Sequence, residues 1–259
     1  MLSKDWEKDM KSYKNYIFDF YGTLVDIETD ENKLELWDQL TQIYNSFGCY
    51  YGPRQLKTTY LRFVEEAEEE LLKIAEHDFI EIDLEQIFVR LLTEAPQKVQ
   101  TENVPKDIAT FGQLVATVFR VLSRQKFETF KHTIDSLHRL KENGAKLFIL
   151  SNAQRIFTQV EIESSGCFEL MDQVYLSSDY QVKKPDPVFL KLVIEENNLD
   201  VNETVIIGND LTTDIAIAQE FGMKAVLLNT FPYSQADIQG FRDMGWDFDV
   251  IDDIAELVT

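Results

Sequence analysis

Cysteine is scarce in this 259-residue chain, which has only Cys49 and Cys167. Two thiols this far apart, without CxxC spacing, argue against a disulfide framework and point to a reducing compartment. Long apolar runs are absent as well, so no stretch reaches the length that crosses a bilayer. The first residues are charged and lack the apolar core of a secretory leader, and a cytoplasmic location is the expectation. Positive charge is in short supply. Against 46 Asp and Glu stand 25 Lys and Arg, a formal net charge of −21. Such a surface repels nucleic-acid phosphate and anionic lipid, so neither is expected as a partner. Its plainest role is solubility. A small anionic substrate would need a local cluster of cations to overcome the global field.

What is present begins with Tyr16-Ile17-Phe18-Asp19-Phe20-Tyr21-Gly22-Thr23-Leu24-Val25. An apolar, β-prone run ends in a carboxylate, and a glycine turn follows. That places Asp19 at the C-terminal end of a buried strand, where open α/β sheets build their sites. A carboxylate there can serve as a nucleophile. From Ile27 to Arg124 helical periodicity takes over, with breaks near 48–53, 77–83 and 94–105. We read roughly four helices in this stretch. Trp37, Tyr44, Tyr60 and Phe63 follow the helical spacing and are expected first as core. From Phe130 onward strands alternate with helices, which implies parallel βαβ units. The predicted fold is therefore α/β, a doubly wound, Rossmann-like parallel sheet with an inserted all-helical domain. Residues 13–26 and 125–259 form the expected core domain, 27–124 the helical cap, and 1–12 an N-terminal extension.

Three more strand ends carry polar residues. Lys146–Leu150 runs into Ser151-Asn152, a helix N-cap by composition and also a place for binding an oxyanion. Lys184 stands beside Pro185 and Pro187, residues suited to a helix's first turn. Thr204–Ile207 runs into Gly208-Asn209-Asp210, with Asp214 beyond. These acids point to metal ligation or to balancing the lysine; the plainer alternative is that Asp210 or Thr212 caps the next helix. A parallel sheet would bring all four strand ends to one edge.

In this order the motifs resemble those of the haloacid dehalogenase superfamily of hydrolases, and the helical insert resembles the cap of its first subfamily. The resemblance runs from Tyr16 to at least Val226. It implies Asp19 as nucleophile, Thr23 and Ser151 as anion binders with Asn152 beside them, and Lys184 steadying the negative charge. It also implies a Mg²⁺ site formed by Asp19, the Tyr21 carbonyl and the fourth motif, with Asp214 in support.

Two positions depart from the phosphatase pattern. Phosphatases of this superfamily carry a second Asp where this chain has Tyr21, the catalytic candidate at that place, and a phenol with a pKa of about 10 is a poor neutral-pH acid unless its environment shifts it. The usual metal-binding Asp is Asn209; Asp210, next along, could take over. Tyrosine at this place resembles the 2-haloacid dehalogenases, whose halide leaving group needs no proton. Those enzymes use a cap arginine, for which Arg54 and then Arg62 are the candidates. They also have a tyrosine shortly after the lysine, where this chain reads Val188-Phe189-Leu190. Three readings follow: a phosphate-monoester hydrolase, a 2-haloacid dehalogenase, and a catalytically weak anion- or partner-binding domain. The first carries the most weight.

Overall fold

The computed structural model describes residues 12–99, 101, 103–231 and 233–258. The extension expected over 1–12 therefore lies, apart from Ser12, outside the described residues. Strand β1 (Asn15–Phe18) passes through the Asp19 turn into β2 (Val25–Thr29). Helices α1 (Leu34–Ser46), α2 (Pro53–Leu72), α3 (Leu84–Thr93) and α4 (Ile108–Ser123) follow, and β3 (Arg124–Thr129) returns the chain. Strands and helices then alternate: α5 (Thr133–Glu142), β4 (Lys146–Ser151), α6 (Arg155–Ser164), β5 (Gln173–Leu176), the short α7 (Ser177–Tyr180), α8 (Pro187–Asn197) and β6 (Thr204–Gly208). Then come α9 (Ala216–Glu220), β7 (Lys224–Leu228), α10 (Gln235–Asp243), β8 (Phe248–Ile251) and a 3-10 turn over Ile254–Val258. No described helix is long and apolar enough to cross a membrane.

Six strands form one sheet in the order β5-β4-β1-β6-β7-β8, and every neighbouring pair is parallel. Such a sheet is covered on both faces, which explains why its strands read as unbroken apolar runs. Along β1, Tyr16 and Phe18 pack with Leu147, Ile149, Val205 and Ile207 on one face. Ile17 packs with Phe148, Leu150, Ile206 and Leu227 on the other. Phe18 stands level with Ile149 and Ile207 in its neighbours. The residues that follow each strand therefore emerge side by side, where the strand order reverses around β1.

The helical insertion buries its own core, in which Trp37 lies 5.3 Å from Tyr60 and Phe88 lies 5.3 Å from Phe119, centroid to centroid. The aromatic residues are thus packing residues, and Phe157 of α6 joins them, stacked 6.1 Å from Phe119. Two strands within this region escaped the sequence reading. β2 and β3 pair antiparallel, so the insertion leaves and rejoins the sheet through a two-stranded ribbon. Val25, Ile27 and Thr29 alternate with Asp26 and Glu28, and Lys126 bridges to Asp26 across the ribbon at 2.6 Å. The alternation is too short, and too charged on its outer face, to stand out beside the long helical pattern that follows.

Two helices begin later than their sequences suggest. α8 starts at Pro187 because Asp186 accepts the Val188 N–H at 3.0 Å and so caps it. α6 starts at Arg155 because Asn152 holds the Lys184 backbone and Gln154 holds the segment between α2 and α3.

Candidate active site

Asp19 is buried, and its N–H donates to the Ile207 carbonyl at 2.9 Å, which extends the β1–β6 ladder by one rung. One carboxylate oxygen, Oδ1, accepts from the Ser151 hydroxyl at 2.8 Å and from the Lys184 ammonium at 2.8 Å. Lys184 Nζ also donates to Asp214 Oδ1 at 2.6 Å and to the Leu150 carbonyl at 2.7 Å. All three ammonium protons are therefore used. Burial alone would push Lys184 down, but the carboxylates of Asp19 and Asp214 hold it above its ordinary value. Asp214 is pushed up to about 6 by its burial, against the pull of Lys184 and with Asp19 adding to the rise. The sum is one cation between two buried anions.

Two glycines allow the close approaches this requires. A Cβ on Gly208 would lie 2.2 Å from the Asp214 carboxyl carbon. Gly22 has φ +78°, and its Cβ would stand 2.6 Å from the Asn209 amide nitrogen. Any other residue would displace those side chains, and at Gly22 it would also have to adopt a left-handed backbone.

The remaining candidate residues take varied positions. Thr23 is fully buried and its hydroxyl donates to Asn209 Oδ1 at 3.2 Å, which fixes the amide beside the turn. Asn152 accepts from the Lys184 N–H at 2.7 Å and donates to the Lys184 carbonyl at 2.9 Å, so it braces the lysine loop. Asp210 fulfils the plainer reading. Its Oδ1 accepts from the Thr212 N–H and hydroxyl, both at 2.7 Å, and from the Tyr233 hydroxyl at 3.2 Å. It caps the following turn. Arg54 is exposed in the first turn of α2, with no hydrogen bond or ion pair to the Asp19 cluster. Arg62 pairs with Glu66 at 2.5 Å on the same helix. Neither arginine is brought to the site.

The Tyr21 hydroxyl is engaged by three side chains from other elements. Its hydroxyl donates to Glu161 Oε2, lies 2.9 Å from the Thr158 hydroxyl, and accepts from Arg120 Nη2 at 3.1 Å. Burial, with Glu161 reinforcing it and Arg120 opposing, pushes the phenol well above its ordinary value. Arg120, in the last turn of α4, reaches Glu161 through Nε at 2.8 Å and Nη2 at 2.9 Å, the two-pronged geometry that makes such pairs strong. Arg124 adds a third contact to Glu161 at 3.0 Å. Sequence reading missed Glu161 and Arg120. The one signal for them was a glutamate interrupting the apolar face of α6 beside Ile162. If the phenol anchors the turn and transfers no proton, Tyr21→Phe leaves kcat within about threefold and costs about 1 kcal/mol of stability. A steady-state assay beside a thermal melt checks both numbers.

A central carboxylate lies at the switch point of a parallel sheet, backed by a buried lysine and a serine hydroxyl, where doubly wound α/β folds build their sites. The chain belongs to the haloacid dehalogenase-like hydrolases, whose family model matches residues 13–222. A glyceraldehyde 3-phosphate phosphatase of Methanothermobacter thermautotrophicus is 28% identical over 128 residues, 49% of this chain and 56% of that protein. The chain thus spans about half the length of the first such relatives. A pyrimidine 5′-nucleotidase of Streptococcus pneumoniae is 24% identical over 226 residues and 84% of each chain. In fold, the chain is similar to a 2-haloacid dehalogenase of Pseudomonas syringae, with a TM-score of 0.65, 19% identity and coverage of 95% and 96%.

Proposed function

We propose that the protein is a Mg²⁺-assisted phosphohydrolase that acts on small phosphate compounds through an aspartyl-phosphate on Asp19. The observation that carries this reading is the asymmetry of the Asp19 carboxylate. Ser151 and Lys184 both take Oδ1, which leaves Oδ2 as the oxygen for attack. Phosphatase relatives lend it support.

The donor set fits one magnesium ion. Among the described residues no three His, Cys, Asp or Glu side chains gather to hold a metal. Magnesium needs few protein ligands and keeps several waters and substrate oxygens. Asp19, the Tyr21 carbonyl and the Asn209 amide oxygen would hold it. The Tyr21 carbonyl takes no part in the turn's own hydrogen bonds, and the Asn209 amide is packed against that turn. When bound, the ion would neutralise phosphate charge. Lys184 would keep Asp19 ionised and offset the charge that grows on the transferred group. The Ser151 hydroxyl can turn from Asp19 to a phosphate oxygen.

With the Tyr21 proton held by Glu161, the leaving group must depart without an acid. The reading therefore favours acyl phosphates, anhydrides and activated esters over alkyl phosphates. The same observation favours a second reading, dehalogenation of a short 2-haloacid, because halide needs no proton.

Hydrolysis of p-nitrophenyl phosphate with Mg²⁺ and with EDTA separates the two. Mg²⁺-dependent release that exceeds glycerol phosphate hydrolysis at least tenfold in kcat/KM is expected. Halide release from 2-chloropropionate that survives EDTA would replace the first reading with the second. Because Asn209 is a neutral ligand, Asn209→Asp should lower the Mg²⁺ concentration for half-maximal rate roughly tenfold, about 1.4 kcal/mol. A magnesium titration measures it.

A further inference from the structure

Away from the reacting atoms, the segment between α2 and α3 is laced onto the loop that carries Lys184. Ile80 pairs with Val182 in an isolated antiparallel bridge. The Glu81 N–H donates to the Gln181 carbonyl at 3.2 Å, and the Lys183 N–H donates to the Phe79 carbonyl at 2.9 Å. His77 Nε2 lies 3.2 Å from the same Gln181 carbonyl. Gln181 has φ +57°, the left-handed region that a glutamine seldom adopts. Its conformation is imposed by its surroundings, and part of those surroundings belongs to the helical insertion.

Side chains complete the junction. Gln154 Nε2 donates to the Ile82 carbonyl at 2.8 Å and to Glu81 Oε1 at 2.9 Å, while its Oε1 accepts the Leu84 N–H at 2.9 Å. The Ser177 hydroxyl donates to Glu81 Oε2 at 3.0 Å and accepts the Ala153 N–H at 2.8 Å. Glu81 therefore joins three pieces of chain: the insertion, the stretch after Ser151 and the start of α7. Asn152 grips the Lys184 backbone from the core side, and the insertion grips the residues just before it from the other.

We propose that Glu81 is a positioning residue for Lys184, and that docking of the α2–α3 segment sets the lysine loop. The ribbon of β2 and β3 is the covalent attachment of the insertion. This junction is non-covalent, as is the one Arg120 makes with Glu161 and Tyr21, but it rests on the loop that carries Lys184. Loss of docking frees Gln181 and Lys183 from their partners, and the ammonium then loses its fixed reach to Asp19. Entry of substrate beneath the insertion and assembly of the site become one event.

The activity arm of the test rests on the proposed phosphohydrolase; the exchange arm does not. Glu81→Ala is expected to speed backbone amide exchange over Val182–Lys184 at least tenfold by mass spectrometry. It should lower kcat for p-nitrophenyl phosphate at least tenfold with KM within twofold. Glu81→Gln keeps an acceptor for Gln154 and a partner for Ser177, and should restore most of both. Tyr51→Phe removes a buried hydrogen bond to the Leu91 carbonyl inside the insertion and touches none of these contacts. It should lower the melting temperature and change neither quantity. Unchanged exchange at 182–184 in Glu81→Ala would overturn the proposal. So would faster exchange with kcat intact, or a loss in Tyr51→Phe of the same size. If Glu81→Ala does not fold, Ser177→Ala, which removes one partner of Glu81, reads the same exchange. Should the wild type hydrolyse no phosphate ester, the exchange comparison decides alone.

Discussion

Asp19→Asn eliminates p-nitrophenyl phosphate hydrolysis, lowering kcat by at least about 10³-fold, and the protein remains folded. The amide keeps an oxygen for the Ser151 hydroxyl and for Lys184, so the shape of the site survives. What is lost is the second oxygen as a nucleophile. The charge balance supports retention of the fold. The wild-type site buries two anions and one cation; the variant buries one of each. Asp214, pushed up to about 6 in part by Asp19, would come down once that charge is gone. A melting temperature equal to or above wild type is the expected companion result. Residual activity within tenfold of wild type would remove Asp19 from the nucleophile's role, and with it the aspartyl-phosphate reading.

The second large effect lies outside the reacting atoms. Glu161→Ala strands Arg120, whose side chain is 13% exposed, and leaves Tyr21 only the Thr158 hydroxyl as acceptor. Removing one partner of a buried ion pair costs about 3–5 kcal/mol, because the other charge is left without compensation. For a chain of this size that is a fall in Tm of roughly 6–20 °C. The partner Arg124 is more exposed, at 32%, and finds water more readily. The paired substitution Glu161→Leu with Arg120→Met removes both charges and should recover more than half of the loss. Calorimetry of the single and double variants measures the coupling. A single variant that melts within 2 °C of wild type would show that the network carries little energy.

These two results bear on different parts of what the sequence made legible. The Asp19 strand could be read because a parallel strand is buried on both faces. An unbroken apolar run that stops at a carboxylate and a glycine fits few arrangements besides a strand end at a site. Ser151 could be read for the same reason, as a strand-end residue of that edge, whereas Lys184 stands in the loop between α7 and α8 and was singled out by its flanking prolines. The helices of the insertion followed from their 3.6-residue spacing, and their aromatic residues proved to be core. The ribbon of β2 and β3 could not be read, since its alternation is brief and its partner strand lies on the far side of the insertion. Arg54 and Arg62 were reasonable candidates for a cap cation, yet helix periodicity says nothing about which face of a helix meets another domain. The arginine that reaches the site is Arg120.

Tyr21 shows the boundary most clearly. Its position after Asp19 is a matter of sequence, and so is the absence of a carboxylic acid there. The direction of its hydroxyl is not. Its partners Arg120 and Glu161 lie 99 and 140 residues away along the chain. Asp210 presents the same contrast: its spacing suits metal ligation and capping equally, and only the fold shows its Oδ1 on the Thr212 N–H. Periodicity and burial act over a few residues. The order of strands and helices, and so the set of residues at the edge of the sheet, was therefore already written in the chain. Which of those residues meet was left to the packed fold. A buried charge is tolerable only where partners from distant segments arrive together, and that depends on how α4 and the α2–α3 segment settle against the core.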